Sequence, residues 1–218
     1  MVLARMFPRA EIVGSELLAS YVDLARKRGA FYGYGNVKFF VSPSGTELPS
    51  GIGMFDYVVM SAVYEHLLPV ERETVLRAVW ATLNPGGLLF LNQTPYRYFP
   101  IEAHTTGLPL LNYLPDAIAM RVARRLCRRI ESGESWESML RRGIRGGSEK
   151  RILTQLGPNA ILLEPERCHK DRIDLWFTEL SPRKRAVKQV IRGGLKSLRA
   201  VTGITMVPEL SLAFRKRS

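Results

Sequence analysis

His104 follows Glu102 by two positions within Tyr96-Arg97-Tyr98-Phe99-Pro100-Ile101-Glu102-Ala103-His104, an aromatic stretch broken by proline. An imidazole titrates near neutrality, so His104 with Glu102 beside it could take a proton from a substrate hydroxyl. The competing reading has His104 bonded to a loop carbonyl. Tyr64, His66, Tyr96, Tyr98 and Glu102 are the side chains expected to line a substrate pocket around that base. No metal site is expected. Cys168-His169 has no second pair of ligands at metal spacing, and Cys127 and Cys168 are the only cysteines. Arg142-Gly143-Ile144-Arg145-Gly146-Gly147-Ser148 could hold an anion on its backbone amides. It follows no strand and lacks the lysine of a phosphate loop, so it is not read as a nucleotide site.

The elements that must position these groups are clearest between Phe55 and Pro95. Phe55 to Met60 is a run of strand length, and Ser61 to Leu67 turns off it. From Glu71 to Leu83, the spacing of Val75, Leu76, Val79, Trp80 and Leu83 makes one helical face, with Glu71 and Glu73 at the positive end. Asn84-Pro85-Gly86-Gly87 stops that helix, and Leu88-Leu89-Phe90-Leu91 is a second buried strand. Strand, helix and strand with short connections make a βαβ unit. Ligands of such sheets bind beyond the carboxyl ends of the strands, here Ser61 to His66 and Asn92 to Arg97.

Phe-Asp-Tyr-Val-Val at 55–59, Glu-His-Leu at 65–67, the helix, and Leu-Asn-Pro-Gly-Gly-Leu-Leu at 83–89 together resemble the middle of a class I S-adenosylmethionine-dependent methyltransferase. The resemblance covers the first half of the chain well and the second half loosely. It implies an α/β, Rossmann-like and mostly parallel sheet, with S-adenosylmethionine as cofactor. It also implies methyl transfer to oxygen or nitrogen of a small molecule, glycan or lipid precursor. On this resemblance Glu16, with Leu17 beside it, takes the place that bonds the ribose hydroxyls, for which a carboxylate offers two acceptor oxygens. The alternative is that Glu16 caps the following helix. Ser44 and Gly45 fall beside the adenine, with Ser44 where the family usually carries an acidic residue. Ser61 and Ala62 fall beside the cofactor's amino-acid part, and the family's Glu-His pair, here Glu65-His66, orients the turn after the strand.

The family's glycine-rich loop lies between its first strand and first helix, where only glycine lets the backbone pass close to the cofactor. In this sequence the first glycine is Gly14, already in the family's second strand. The expectation is therefore a sheet missing its first strand, with two edges exposed and a helical C-terminal lid. A truncated or degenerate methyltransferase-like module without catalysis is the alternative function.

Along the rest of the chain, residues 1–9 read as the end of a helix, 11–16 and 37–41 as strands, and 17–28 as a helix. Ile118, Val122, Leu126 and Ile130 mark the apolar face of a helix whose other side carries Arg121, Arg124, Arg125, Arg128 and Arg129. A long basic helix opens at Ser181-Pro182, has Ala186, Val187, Val190, Ile191, Leu195 and Leu198 on one side, and bends or breaks at Gly193-Gly194. Residues 208–216 alternate like a final strand. The expected organisation is a cofactor-binding core over 1–115, a basic helical lid over 116–200 with one core strand near 160–164, and a closing antiparallel strand over 206–216.

The 218 residues are 46% hydrophobic, enough for a core. The net charge of +12 is uneven. Residues 1–115 carry 9 basic and 9 acidic side chains, whereas 183–218 carry 10 and 1. That tail suggests peripheral contact with an anionic membrane, or a lid helix with its lysines in water. An RNA methyltransferase is the minor alternative. The pocket aromatics and the tail charges lie far apart and no Asn/Asp-Pro-Pro-Tyr segment is present, so nucleic acid is disfavoured. No apolar run reaches the roughly 18 residues of a membrane span, and the expected location is cytoplasmic, with peripheral contact at the inner membrane surface.

Overall fold

A computed structural model describes residues 1–166, 169, 171–179 and 185–217. A short helix α1 (Val2–Met6) leads to β1 (Ile12–Glu16), and helix α2 (Ala19–Phe31) crosses to β2 (Val37–Val41). β1 and β2 pair in parallel, Ile12 opposite Val37 and Glu16 opposite Val41. The second βαβ unit is β3 (Phe55–Ser61), α3 (Pro69–Ala81) and β4 (Leu83–Pro95), again parallel, with Met60 opposite Leu91 and Ser61 opposite Asn92. Pro69 opens α3 where its missing N–H costs nothing, and Glu71 accepts from the Leu68 amide at 2.9 Å to close the first turn.

The strand β4 begins at Leu83, before the Pro-Gly-Gly that was expected to lie outside it. The register with β3 shifts between Phe55 and Tyr57, so Pro85 to Gly87 form a bulge. A Cβ on Gly87 would stand 2.9 Å from the Asn84 carbonyl and 3.1 Å from that of Asp56, which is why glycine occupies it.

The mostly parallel sheet needs correction. Strands fall into two sheets, β1-β2 and β3-β4-β6-β5, where β5 is Ala160–Leu163 and β6 is Glu209–Lys216. The strand β6 inserts between β4 and β5 and runs antiparallel to both, so two of the four pairings are parallel and two antiparallel. Its alternation explains the place it takes. Leu210, Leu212 and Phe214 are buried on one face while Glu209 and Arg215 are exposed.

The main core lies where α3, α6 (Glu149–Leu156) and α7 (Arg172–Glu179) cover this sheet, joining Leu76, Val79, Leu89, Leu91, Ile152, Ile173 and Phe214. A second cluster holds α4 (Asp116–Leu126) and α5 (Trp136–Arg141) together through Leu111, Ala119, Ala123, Met139 and Ile144. The buried face of α4 is thus turned by one residue from the expected one. Ala119 and Ala123 are fully buried, and Ile118 and Leu126 are exposed. Val122 is partly buried against the cluster, and Ile130, past the helix, is buried in it as expected. Small alanines let the helix approach its neighbours closely, which a stripe of branched residues would prevent.

The last helix, α8 (Arg185–Thr202), runs unbroken through Gly193-Gly194. Three of its cations, Arg192, Lys196 and Arg199, face the body of the protein. Arg192 and Lys196 bond Asp174 at 2.7 and 2.8 Å, and Arg199 reaches Glu164 at 3.1 Å. Val187, Val190, Ile191 and Val201 are exposed, and Leu195 packs against the main core. No described helix is long and apolar enough to cross a membrane. Cys168 and Ser181-Pro182 lie outside the described residues.

Candidate active site

Each parallel pair of strands ends at residues expected to bind ligand. At the tip of β1, Glu16 accepts the amides of Leu17 and Leu18 on Oε1, at 2.7 and 3.1 Å. Both amides precede α2, which has no side-chain cap, so Glu16 closes the turn into the helix rather than capping it. Its Oε2 has no hydrogen bond among the described residues. After β2, Ser15 and Ser42 share a hydroxyl contact at 2.7 Å across the pair. Ser44 lies half-buried with its hydroxyl 3.3 Å from the Thr46 amide, and Gly45 is exposed beside it.

The tips of β3 and β4 are strained. Ala62 has φ 53° and Gln93 has φ 60°, both left-handed, which non-glycine residues seldom adopt. They sit side by side. The Ala62 amide donates to the Asn92 carbonyl at 3.1 Å, and the Ser61 hydroxyl donates to Oε1 of Gln93 at 3.3 Å. Backbone strain of this kind gathers at ligand sites. Sequence reasoning named Ser61 and Ala62 singly but Gln93 only within the stretch Asn92 to Arg97, because a positive φ leaves no mark in the residue type.

Beyond the tips, a 3₁₀ turn (Tyr64–His66) brings Glu65 inward and His66 to the surface. The Glu65 side chain is fully buried. Its Oε2 receives the Thr94 hydroxyl at 3.4 Å, and its Oε1 has no hydrogen-bond partner. Burial pushes the Glu65 carboxyl above the ordinary carboxylate range, against the opposing pull of its own amide and of His66 and His104. His66 places Nε2 3.7 Å from Glu65 Oε1 and Nδ1 2.7 Å from the Arg141 carbonyl. The ring of His104 lies 5.9 Å from that of His66, and it packs so tightly on Gly143 that a Cβ there would stand 2.7 Å from His104 Cδ2.

Two expected pocket residues turn out to be structural. Tyr64 is fully buried, donates its hydroxyl to Gln155 at 3.2 Å, and carries the Arg72 guanidinium 4.8 Å from its ring centre. Glu102 does not polarise the His104 ring. Its carboxylate accepts the amides of His104, Thr105 and Thr106 at 3.2, 3.0 and 2.6 Å, so it folds the loop that carries the histidine. Tyr96 is half-buried against the main core, and Tyr98 is exposed and meets it edge to face at 6.0 Å. The shallow clefts lined by Arg26, Tyr34 and Phe39 and by Glu131, Glu134 and Arg142 contain none of these groups.

The glycine-rich turn offers no anion site, since residues 143–148 are all buried. Gly147 bonds Pro95 and Arg97 at 2.9 and 2.7 Å, which stitches the turn to the end of β4. Two buried arginines hold it from either side. Arg72 donates to the carbonyls of Leu67, Gly146, Glu65 and Arg145, and Arg145 donates to those of Leu111, Asn112 and Leu114 and to Asp116. Sequence analysis gave Arg72 no role and placed Arg145 only within the turn itself.

Residues 1–87 match the family model of a methyltransferase domain. Over 90 residues the chain is 22% identical to an uncharacterised protein of Synechocystis sp., covering 41% of this chain and 18% of that one. Among solved structures, PKMT2 from Rickettsia typhi in complex with AdoHcy aligns over 99% of this chain and 46% of its own, with TM-score 0.55 at 16% identity. A structure of PigF with SAH aligns over 100% and 46%, with TM-score 0.50 at 15% identity. The chain therefore spans less than half the length of these relatives. Residues 1–87 are thus similar to a methyltransferase domain, and the chain shares the fold of these two solved structures over its length.

Proposed function

We propose that this chain forms the strand-tip platform of an S-adenosylmethionine-dependent methyltransferase acting on oxygen or nitrogen of a small molecule, glycan or lipid precursor. The observation that carries the reading is the pair of left-handed residues, Ala62 and Gln93, at adjacent tips of parallel strands inside and just beyond the matched domain. Bound cofactor supplies an electrophilic methyl. Ser61, Ala62 and the free oxygen of Glu16 are the groups that would hold its polar parts, with Ser44 and Gly45 beside the adenine. His104, partly exposed on its loop, takes the proton of an acceptor hydroxyl, and Tyr96 and Tyr98 flank the approach. Calorimetry of the 218-residue chain with S-adenosylmethionine and S-adenosylhomocysteine tests this. Binding that Glu16→Ala and Ser61→Ala weaken supports it, and absence of heat with no thermal shift favours a non-catalytic module.

A second reading concerns location. The exposed Val187, Val190, Ile191 and Val201 of α8 favour peripheral contact with an anionic membrane from a cytoplasmic protein. The ion-paired cations of that helix leave the apolar stripe to supply the contact. Co-sedimentation with phosphatidylglycerol vesicles, weakened by Val190→Ser, supports this reading, and failure to sediment rejects it.

A further inference from the structure

Glu65, His66 and His104 each present one ligating atom, and these atoms lie within 4.8 Å of one another. From this convergence we propose that the three side chains form a binding site for a first-row divalent transition metal such as Zn2+ or Co2+.

The tautomer of His66 is the first argument. The Arg141 carbonyl can only accept, so Nδ1 of His66, 2.7 Å away, carries the proton. In the neutral ring Nε2 then bears a lone pair, and it points at Glu65 Oε1 across 3.7 Å. Two acceptors face each other there, in a place where one of them is fully buried and has no hydrogen-bond partner. A cation between them resolves the conflict.

Distance decides between a proton and a metal. A gap of 3.7 Å is too long for a hydrogen bond. Ligand atoms about 2.0–2.1 Å from a tetrahedral ion stand roughly 3.3 Å apart, so a small inward shift of the two side chains completes the contact. A proton bridges two atoms, but here a third donor, His104, converges on the same point. His66 also has the outer bond typical of a metal ligand, its second ring nitrogen donating to a backbone carbonyl. Two imidazoles and one carboxylate suit zinc, cobalt or nickel better than magnesium or calcium, whose preferred ligands are all oxygen.

Three protein ligands on a four-coordinate ion leave one position open, as in catalytic zinc sites. The cluster follows the tip of β3 directly, and Thr94 near the end of β4 touches Glu65. On the methyl-transfer reading, that open position would take an acceptor oxygen and the ion would lower its pKa. That role replaces His104 as the base, because a ligating imidazole has no lone pair left for the proton. The metal site itself does not depend on that reading, because it is measured with the ion alone.

The test titrates Zn2+ calorimetrically, and Co2+ by its visible absorption, into the chelator-stripped 218-residue chain. One equivalent is expected, with a Co2+ spectrum of low coordination number. Glu65→Gln and His104→Gln should each weaken binding at least tenfold, while His169→Gln leaves it unchanged. His104 sits on a partly exposed loop, so its variant remains informative if Glu65→Gln impairs folding, which far-ultraviolet dichroism would report. No binding in the native chain, or native affinity retained in both Glu65→Gln and His104→Gln, overturns the proposal. Metal binding without cofactor binding would sink the methyltransferase reading and spare this one, and the reverse outcome would do the opposite.

Discussion

The carbonyl oxygen of Arg141 lies 2.7 Å from Nδ1 of His66, and the Arg141 guanidinium grips Glu71 with two bonds of 2.6 Å. One residue of α5 therefore fixes both the tautomer of a site histidine and the first turn of the helix that follows it. The hydrogen bonds from Arg141, the leading cause, hold the Glu71 carboxyl below the usual carboxylate range despite opposing burial.

The sign of that shift sets a pH dependence. A depressed carboxylate contributes stability above its unfolded pKa of about 4.3, and loses it as pH falls through the lowered folded value. The Arg141 side chain is 43% exposed, so solvent limits the pair to about 1 kcal/mol. Glu71→Gln should therefore unfold at lower urea than the native chain at neutral pH, and the gap should close as pH falls below the ordinary carboxylate range. A gap that persists unchanged in acid would trace the loss to the Leu68 cap bond, which glutamine also has to replace.

Ala62 offers a test of strain. Its φ of 53° costs an L-residue about 1–2 kcal/mol, which glycine avoids at the expense of greater unfolded freedom. Ala62→Gly should melt at or slightly above the native temperature. Ala62→Val, with a branched Cβ in the left-handed region, should lose more than about 1 kcal/mol. Equal melting of the valine variant and the native chain would show that the tip does not adopt this conformation in solution.

The βαβ units were legible because their strands are apolar runs and Val75, Leu76, Val79 and Trp80 repeat at helical spacing. The closing strand was legible from the alternation of Leu210, Leu212 and Phe214, and its antiparallel direction followed from the family resemblance. What stayed hidden depends on contacts between distant segments. Arg72 and Arg145 look like any surface arginine, yet each ends among carbonyls that are far away in sequence. Glu65 and His104 are separated by 39 positions, so no spacing rule could bring them together, and Glu102 was paired with the wrong part of its neighbour. For α8, periodicity found the apolar stripe but not its direction. Asp171, Asp174 and Glu164 on other segments attract the opposite face.

Gly146 and Gly45 separate two uses of glycine. A Cβ on Gly146 would lie 1.8 Å from the Pro95 carbonyl oxygen, inside a segment whose amides and carbonyls are bonded on both sides. Gly146→Ala must displace the end of β4, which carries Thr94 and the approach to the site, and the loss should exceed about 3 kcal/mol. A Cβ on Gly45 meets nothing within 4 Å. Gly45→Ala should stay within about 0.5 kcal/mol of the native chain, so urea midpoints of the two variants should differ widely. If Gly146→Ala folds normally, the turn does not press on β4.

The orientation of α8 yields the remaining prediction. Asp174, whose side chain is only 7% exposed, sits between Arg192 and Lys196. Burial alone would raise its carboxyl, but the hydrogen bonds from Lys196 and Arg192 outweigh burial and hold it below the ordinary range. Asp174→Asn leaves Arg192 without its carboxylate and Lys196 with only Asp171, 3.4 Å away. It should cost about 2 kcal/mol near neutral pH, less in acid where native Asp174 also becomes neutral. Val190 is 76% exposed, so Val190→Ser should change stability by no more than about 0.5 kcal/mol. Had the helix packed its apolar stripe inward, as the amphipathic pattern first suggests, the two effects would be exchanged. Denaturation of this pair of variants therefore reads the rotation of the helix directly, and a Val190→Ser loss larger than that of Asp174→Asn would reverse it.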